Sequence, residues 1–546
     1  MKSQLKYQLT KLGNMSSSLL VGSILLLQGC GGDGNPDDNQ TLVGTLVTSG
    51  SSDSPVWNEG VFDSSNSFSA LCESPRTGLS QTTGAPFPDL SGSTLLENHW
   101  LRSWTNETYL WYREVTDFDP GLYETVPYFD LLKTDAVTES GAPKDQFHFT
   151  VPTDEWEALS QSGVSAGYGF QIVFLSSIIP REIAVAYVEP DSPADLAGMA
   201  RGARIISVDG VSAETGSSES EIDVLNEGLF PSNIGETHNI EIQDLGSSET
   251  RFVNLTSSTI TSTPVQNVKA LDTASGKVGY ILFNDHIATA EAQLIDAVEQ
   301  LSAEPIDDLV LDLRYNGGGF LAIASELAYM IAGPTATNGQ IFEQLVFNDK
   351  HPVFNPVTGE INDPVPFFDQ ALGFSTTAGT ALPSLNLSRV FVLASSGTCS
   401  ASESIINSLR GVDIEVILIG NTTCGKPYGF YATDNCGTSY FSIQFQAENA
   451  QGFGEYADGF TPQNIGSPGT VSLPGCFAED DLNNLLGDEN EGMLSTALVY
   501  RVSGTCVAVG KTVTDALEDS YIGLSTQTLT PKPLWLLNRI MDRPDD

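Results

Sequence analysis

Three short runs hold groups suited to acyl transfer: Ser400 in GTCSASE, Lys426 in TCGKPYG, and Gly317, Gly318 and Gly319 in LDLRYNGGG. A serine hydroxyl attacks a carbonyl carbon only when a base removes its proton. Backbone N–H groups must then hold the oxygen that turns negative. The apolar run RVFVLAS leads into Ser400 and SESIINSLRG leads out, a pattern that predicts a strand, a turn and a helix. A residue at such a turn meets the free N–H groups and positive dipole end of the helix. The N–H of Ala401 would face an oxyanion there. Gly-x-Ser-x-Gly does not surround Ser400, and the bland reading is a loop rich in small hydroxyl residues.

The base is sought among few residues. The chain has five histidines. His286, in FNDHI just after a strand, is the best placed of them, and it reads first as structural. Lys426 follows the apolar run EVILIG. If EVILIG and RVFVLAS are neighbouring strands of one sheet, their C-terminal loops converge and Lys426 reaches Ser400. A lysine acts as base only when neutral, which burial favours; otherwise it is a surface lysine in a Gly/Pro turn. Cys399 is a rival nucleophile, but a strand-end thiol in an oxidising compartment is more often buried or paired.

Ser400-Ala401-Ser402-Glu403, the later Gly425-Lys426 and the upstream LDLRYNGGG together resemble the tail-specific, or C-terminal processing, proteases of the S41 type. The likeness runs in order over about residues 94 to 500. It implies Ser400 as nucleophile, Lys426 as base, and an oxyanion hole from Ala401 with Gly317, Gly318 or Gly319. It implies neither a metal nor an organic cofactor; the sequence also lacks Cys-x-x-Cys and His-Glu-x-x-His runs. Many members carry a glutamine four positions after the lysine, where this chain has Phe430. Ser402, Glu403 and Gln444 are the candidates to orient Lys426 instead. The implied fold is an α/β catalytic domain with a ClpP/crotonase-like core, an inserted or preceding PDZ β-domain and a small N-terminal helical domain. The runner-up function is a catalytically degenerate ligand-binding or PDZ scaffold protein of the same fold.

The PDZ resemblance rests on Gly167-Tyr168-Gly169-Phe170 followed by SPADLAGMARGARIISVDG. In that reading IAVAYV is a strand, Ser192 caps a short helix with Pro193 in its first turn, and ARIISVDG is a strand ending in a turn. The loop from Gly167 to Phe170 would hold the free C-terminus of a peptide or protein substrate, and the adjoining strand would pair with it.

These elements set an organisation. Residues 1–29 read as a signal peptide: three lysines, the apolar LLVGSILLL, then a lipobox over Leu27–Cys30 that would lipidate Cys30. Residues 30–92, rich in Gly, Ser, Asp and Pro, read as a flexible tether, with Trp57, Phe62 and Phe68 hinting that part of it docks. Then come a helical domain (93–161, capped by Thr94 and Glu97), the PDZ domain (162–260), the protease domain (261–530) and a tail (531–546). The leader implies a bacterial cell envelope, with a lipid anchor in the outer membrane facing the periplasm or the cell surface. A formal charge of −45 argues against nucleic acid. Six cysteines follow Cys30. Proximity along the chain favours Cys424 with Cys436 and Cys476 with Cys506, out of fifteen pairings. Oligomeric state is not legible.

Overall fold

The computed structural model describes residues 54–80, 84–176, 178–231 and 233–506 and the strand Arg539–Ile540. The signal segment, Cys30, the first part of the tether and, apart from that strand, the tail lie outside the described residues.

A six-stranded sheet forms the centre, in the order Val265–Thr273, Gly276–Phe283, Asp308–Asp312, Arg389–Ala394, Glu415–Gly420, Gly475–Phe477. Only the first pairing is antiparallel. Parallel strands are covered on both faces and so read as unbroken apolar runs, as DLVLD, RVFVLA and EVILIG do. Alternate side chains go to opposite faces. Leu309, Leu311, Val390 and Val392 pack with the helices Ala290–Ala303, Leu321–Thr337 and Ala401–Gly411. Val310, Phe391 and Leu393 pack against Met493, Leu494 and Ala497 of the helix Gly492–Ser503.

The PDZ fold is inserted, not preceding. Its ends are clasped by antiparallel pairing of Val164–Gly167 with Ser258–Thr261. Its main sheet runs Arg251–Thr256, Thr237–Gln243, Arg204–Val208, Glu182–Val188, Phe170–Ser176, so the strand beginning at Phe170 is the edge. Ser192 caps the helix Pro193–Leu196 by accepting from the Asp195 N–H.

The chain before the PDZ fold is built into the catalytic body, which corrects two expectations. Residues 93–161 are not an independent helical domain. Their strand Phe149–Pro152 pairs with Thr438–Phe441, and Tyr109, Phe147, Phe149 and Val151 belong to the main core. The described residues between Pro55 and Gly92 are not a free tether. Cys72 is bonded to Cys436, Phe68 packs on His99, and the buried Arg102 guanidinium donates to the carbonyls of Asn58 and Val61. Ordering so polar a segment is entropically costly, and the covalent tie with these buried contacts offsets it. Thr94 is also not the cap. The helix Thr94–Thr108 is capped by Ser93, which accepts from the Leu96 N–H, while Glu97 accepts from the Glu73 N–H.

Candidate active site

The strands Arg389–Ala394 and Glu415–Gly420 are parallel neighbours, with Ala394 opposite Gly420. Their C-terminal loops therefore leave the sheet side by side, one carrying Ser400 and the other Lys426. Ser400 caps the helix Ala401–Gly411 with φ 59° and ψ −114°, a conformation that costs a non-glycine residue of order 1–3 kcal/mol. Ala401 is the first helical residue, and its N–H has no acceptor within the helix.

Glu403 joins the two loops. Its Oε2 accepts from the N–H of Ser400 at 3.0 Å and from the N–H of Lys426 at 2.8 Å. Its Oε1 accepts from the Thr423 hydroxyl at 2.5 Å and the Gly425 N–H at 2.9 Å. Burial raises the Glu403 carboxyl above the usual range, and these four donors, favouring the anion, pull against it. A disulfide reinforces the junction: Cys399, just before Ser400, is bonded to Cys424, two residues before Lys426, with Cα atoms 5.2 Å apart. This removes Cys399 as a rival nucleophile. It also overturns the expected Cys424–Cys436 pair, because Cys436 is taken by Cys72. Cys476–Cys506 forms as expected.

Ser400 and Lys426 are both fully buried. The Lys426 Nζ lies 4.5 Å from the Phe147 ring centroid and 4.4 Å from that of Phe430. Where the resembling family places a glutamine, this chain thus places one of two aromatic faces against the amine. Ser402 turns elsewhere, donating to the Asn316 carbonyl. Gln444 accepts from the Tyr431 N–H through Oε1 and braces the loop beyond the lysine.

The glycine run is held by Asn316 and His286. Asn316 Oδ1 accepts from the Gly318 N–H at 2.9 Å and pairs with His286 Nδ1. The Gly318 N–H therefore already has an acceptor in this structure. Gly319 has φ 134°, and a Cβ there would meet the His286 carbonyl oxygen at 2.5 Å. The strand Arg539–Ile540 pairs in parallel with Gly319–Phe320. His286 holds the run through its backbone as well, since its carbonyl accepts from the Phe320 N–H.

Behind the run lies a buried charge network that the sequence reading did not single out. Arg314 donates to Asp312, Glu491 and Asp480. Arg201 of the PDZ fold donates to the same Asp480 oxygen and to the Tyr315 hydroxyl. Burial pulls the Asp480 carboxyl up, but Arg314 and Arg201 outweigh it and hold it below the ordinary range. The signal was visible as the charged pair inside the apolar LDLR, since charges on a buried strand end require partners. Two clusters, Cys399 with Glu403 and Cys424, and Cys72 with Glu97 and Cys436, bring ligand-type atoms within 4.8 Å of one another. In both, the sulfurs are committed to a disulfide.

In the PDZ fold, Tyr168 is buried and its carbonyl accepts from the Ala194 N–H, while the Gly169 carbonyl accepts from the Glu189 N–H. Gly167 closes the clasp opposite Ser258. Phe170 stacks on Tyr168 and opens the edge strand.

Residues 277–430 match the model of peptidase family S41, and residues 185–225 match a PDZ domain model. A carboxyl-terminal-processing protease of Picosynechococcus is 27% identical over 275 residues, covering 49% of this chain and 56% of the relative. The chloroplastic carboxyl-terminal-processing peptidase 3 of Arabidopsis thaliana is 24% identical over 385 residues, 66% of each chain. The chain thus spans somewhat over half the length of the first of these relatives and about two thirds of the second. The crystal structure of an S41-type protein from Bacteroides fragilis superposes with a TM-score of 0.52 at 24% identity, over 77% of this chain and 98% of that one. The fold is that of the S41 proteases with a PDZ domain.

Proposed function

We propose that this chain, with its S41-type and PDZ folds, is a serine endopeptidase that cleaves exported peptides or proteins with Ser400 as nucleophile and Lys426 as base. The observation that carries the reading is the single Glu403 oxygen that accepts from the backbone N–H groups of both residues, inside a fully buried junction.

The chemistry follows from the parts. Neutral Lys426 takes the Ser400 proton as the hydroxyl attacks the scissile carbonyl. The N–H of Ala401 and one from Gly317, Gly318 or Gly319 hold the oxyanion; one such donor is typically worth about 3 kcal/mol. Lys426 then protonates the leaving amine, and water hydrolyses the acyl-enzyme. The loop from Gly167 to Phe170 and the sheet edge it opens would bind the substrate's free C-terminus by strand addition. The sequence leader extends the proposal to a lipid anchor at Cys30, in the envelope of a bacterium.

Peptide hydrolysis by the wild type, Ser400→Ala and Lys426→Ala across pH tests this. Both variants are expected to lose turnover. Activity in the wild type should rise with pH well below the ~10.4 of ordinary lysine, because an amine withdrawn from water sheds its proton more readily. A serine-reactive fluorophosphonate should label the wild type and not Ser400→Ala. An unlabelled, inactive wild type would favour a binding protein of the same fold.

A further inference from the structure

The loop that carries Lys426 has little architecture of its own. Between the strands Glu415–Gly420 and Tyr428–Gly429 it forms no helix or strand. Its ties to the nucleophile turn include the Glu403 carboxylate, a backbone bond from the Cys424 N–H to the Thr398 carbonyl, and the Cys399–Cys424 disulfide. The disulfide has one end on each reacting loop. Cys399 is itself anchored, donating its N–H to the Asn316 carbonyl on the loop that bears the glycine run. The nucleophile turn, the base loop and the oxyanion loop thus converge on one cystine.

We propose that the Cys399–Cys424 disulfide is the positioning crosslink of the catalytic pair, and that it makes turnover conditional on the oxidised state of these two cysteines. This rests on the Ser400–Lys426 reading. Proton transfer from Ser400 to Lys426 depends on sub-ångström placement, and a misplacement of about 1 Å can cost about 10²-fold. Glu403 restrains the backbone N–H groups of the base loop, whereas the crosslink fixes the chain two residues before the lysine against the residue preceding the serine. The Cys424 side is partly accessible and the Cys399 side fully buried, so a small thiol reductant attacks at Cys424. The S–S bond breaks, a mixed disulfide forms on Cys424 and the Cys399 sulfur leaves and takes up a proton. A second reductant thiol then forms the reductant's own disulfide and releases the Cys424 thiol. Two electrons enter the protein and two reductant thiols are oxidised.

The test uses the full chain. Peptide hydrolysis and its pH profile are measured for the oxidised wild type, the wild type treated with dithiothreitol, Cys399→Ala/Cys424→Ala, and Cys476→Ala/Cys506→Ala, which removes a crosslink with neither end on the two loops. Far-UV circular dichroism and Tm are read on each sample. The expected result is that kcat falls by about 10- to 100-fold in the reduced wild type and in Cys399→Ala/Cys424→Ala, with KM little changed. The alkaline-rising limb should move toward higher pH as water reaches the lysine loop. Cys399→Ala/Cys424→Ala should show no further response to dithiothreitol, and Cys476→Ala/Cys506→Ala should keep full oxidised activity and the full reductant response. The inference is overturned if Cys399→Ala/Cys424→Ala keeps the wild-type kcat and pH profile, or if its residual activity still falls with reductant. Should that variant not fold, the reductant titration of Cys476→Ala/Cys506→Ala decides: a folded, reduced protein at full kcat overturns it equally. An inactive oxidised wild type would instead sink the peptidase reading itself, so the two failures are distinguishable.

Discussion

Replacing one oxygen of Glu403 by an amide nitrogen probes the site at a single atom. Each carboxylate oxygen accepts from two donors, so in Glu403→Gln one pair must face an NH2 group that cannot accept. Each donor so stranded in a buried site costs about 1–3 kcal/mol. The variant is expected to unfold at lower urea and to lose about 10²-fold in kcat, because the N–H groups of Ser400 and Lys426 lose their common anchor. A kcat equal to wild type would show that the disulfide alone aligns the loops. Glu403 was legible in the sequence as one of three candidate orienting residues, with Ser402 and the distant Gln444; its hold on the lysine backbone was not. Ser402 and Gln444 were equally legible by type, and only the fold turned one toward Asn316 and the other toward Tyr431. Side-chain direction at a turn depends on the partner loop, and nothing local to the sequence encodes that.

At the scale of elements, the buried parallel strands were readable because each is a continuous apolar run, and the serine turn because a helix pattern follows one of them. That RVFVLAS and EVILIG are adjacent is a matter of pairing, which residue type does not specify. The glycine run was readable as a donor loop, yet the engagement of the Gly318 N–H by Asn316 was hidden, since Asn316 acts through a side chain that folds back two residues along the chain. The requirement for glycine is sharpest at Gly319, where φ is positive and the His286 carbonyl closes the space. Gly319→Ala is expected to destabilise the fold by about 1–3 kcal/mol and to lower kcat more than it raises KM, measured by urea denaturation and steady-state hydrolysis. Unchanged stability would mean that the His286 loop yields freely.

For the whole molecule, the joint between the PDZ fold and the catalytic body holds a titrating group. Glu189 accepts from the Thr263 N–H across that joint, and burial pushes its carboxyl up to about 7 from an ordinary 4.5, against the hydrogen bonds from Thr263. A carboxyl raised in the folded state favours folding in its neutral form. That contribution is complete below about pH 4.5 and is lost as pH rises through about 7. Glu189→Gln keeps an acceptor for Thr263 without the charge. It is expected to gain about 3 kcal/mol over the wild type at pH 8 and nothing at pH 4, measured as ΔTm across that range. An equal gain at both pH values would refute the assignment. The insertion of the PDZ fold between two halves of one body, and the docking of residues before position 93, were the least legible features. Both depend on pairings between distant segments, of which Trp57, Phe62 and Phe68 gave only a compositional hint.

The bond from Cys72 to Cys436 spans 364 positions and encloses the whole PDZ fold, Ser400 and Lys426 within one covalent circuit. A single scission anywhere inside that circuit opens the ring but sets no fragment loose; a second cut or a reductant is needed before pieces part. A chain nicked in its peptide-binding insert would therefore still migrate as one species until its cystines are opened.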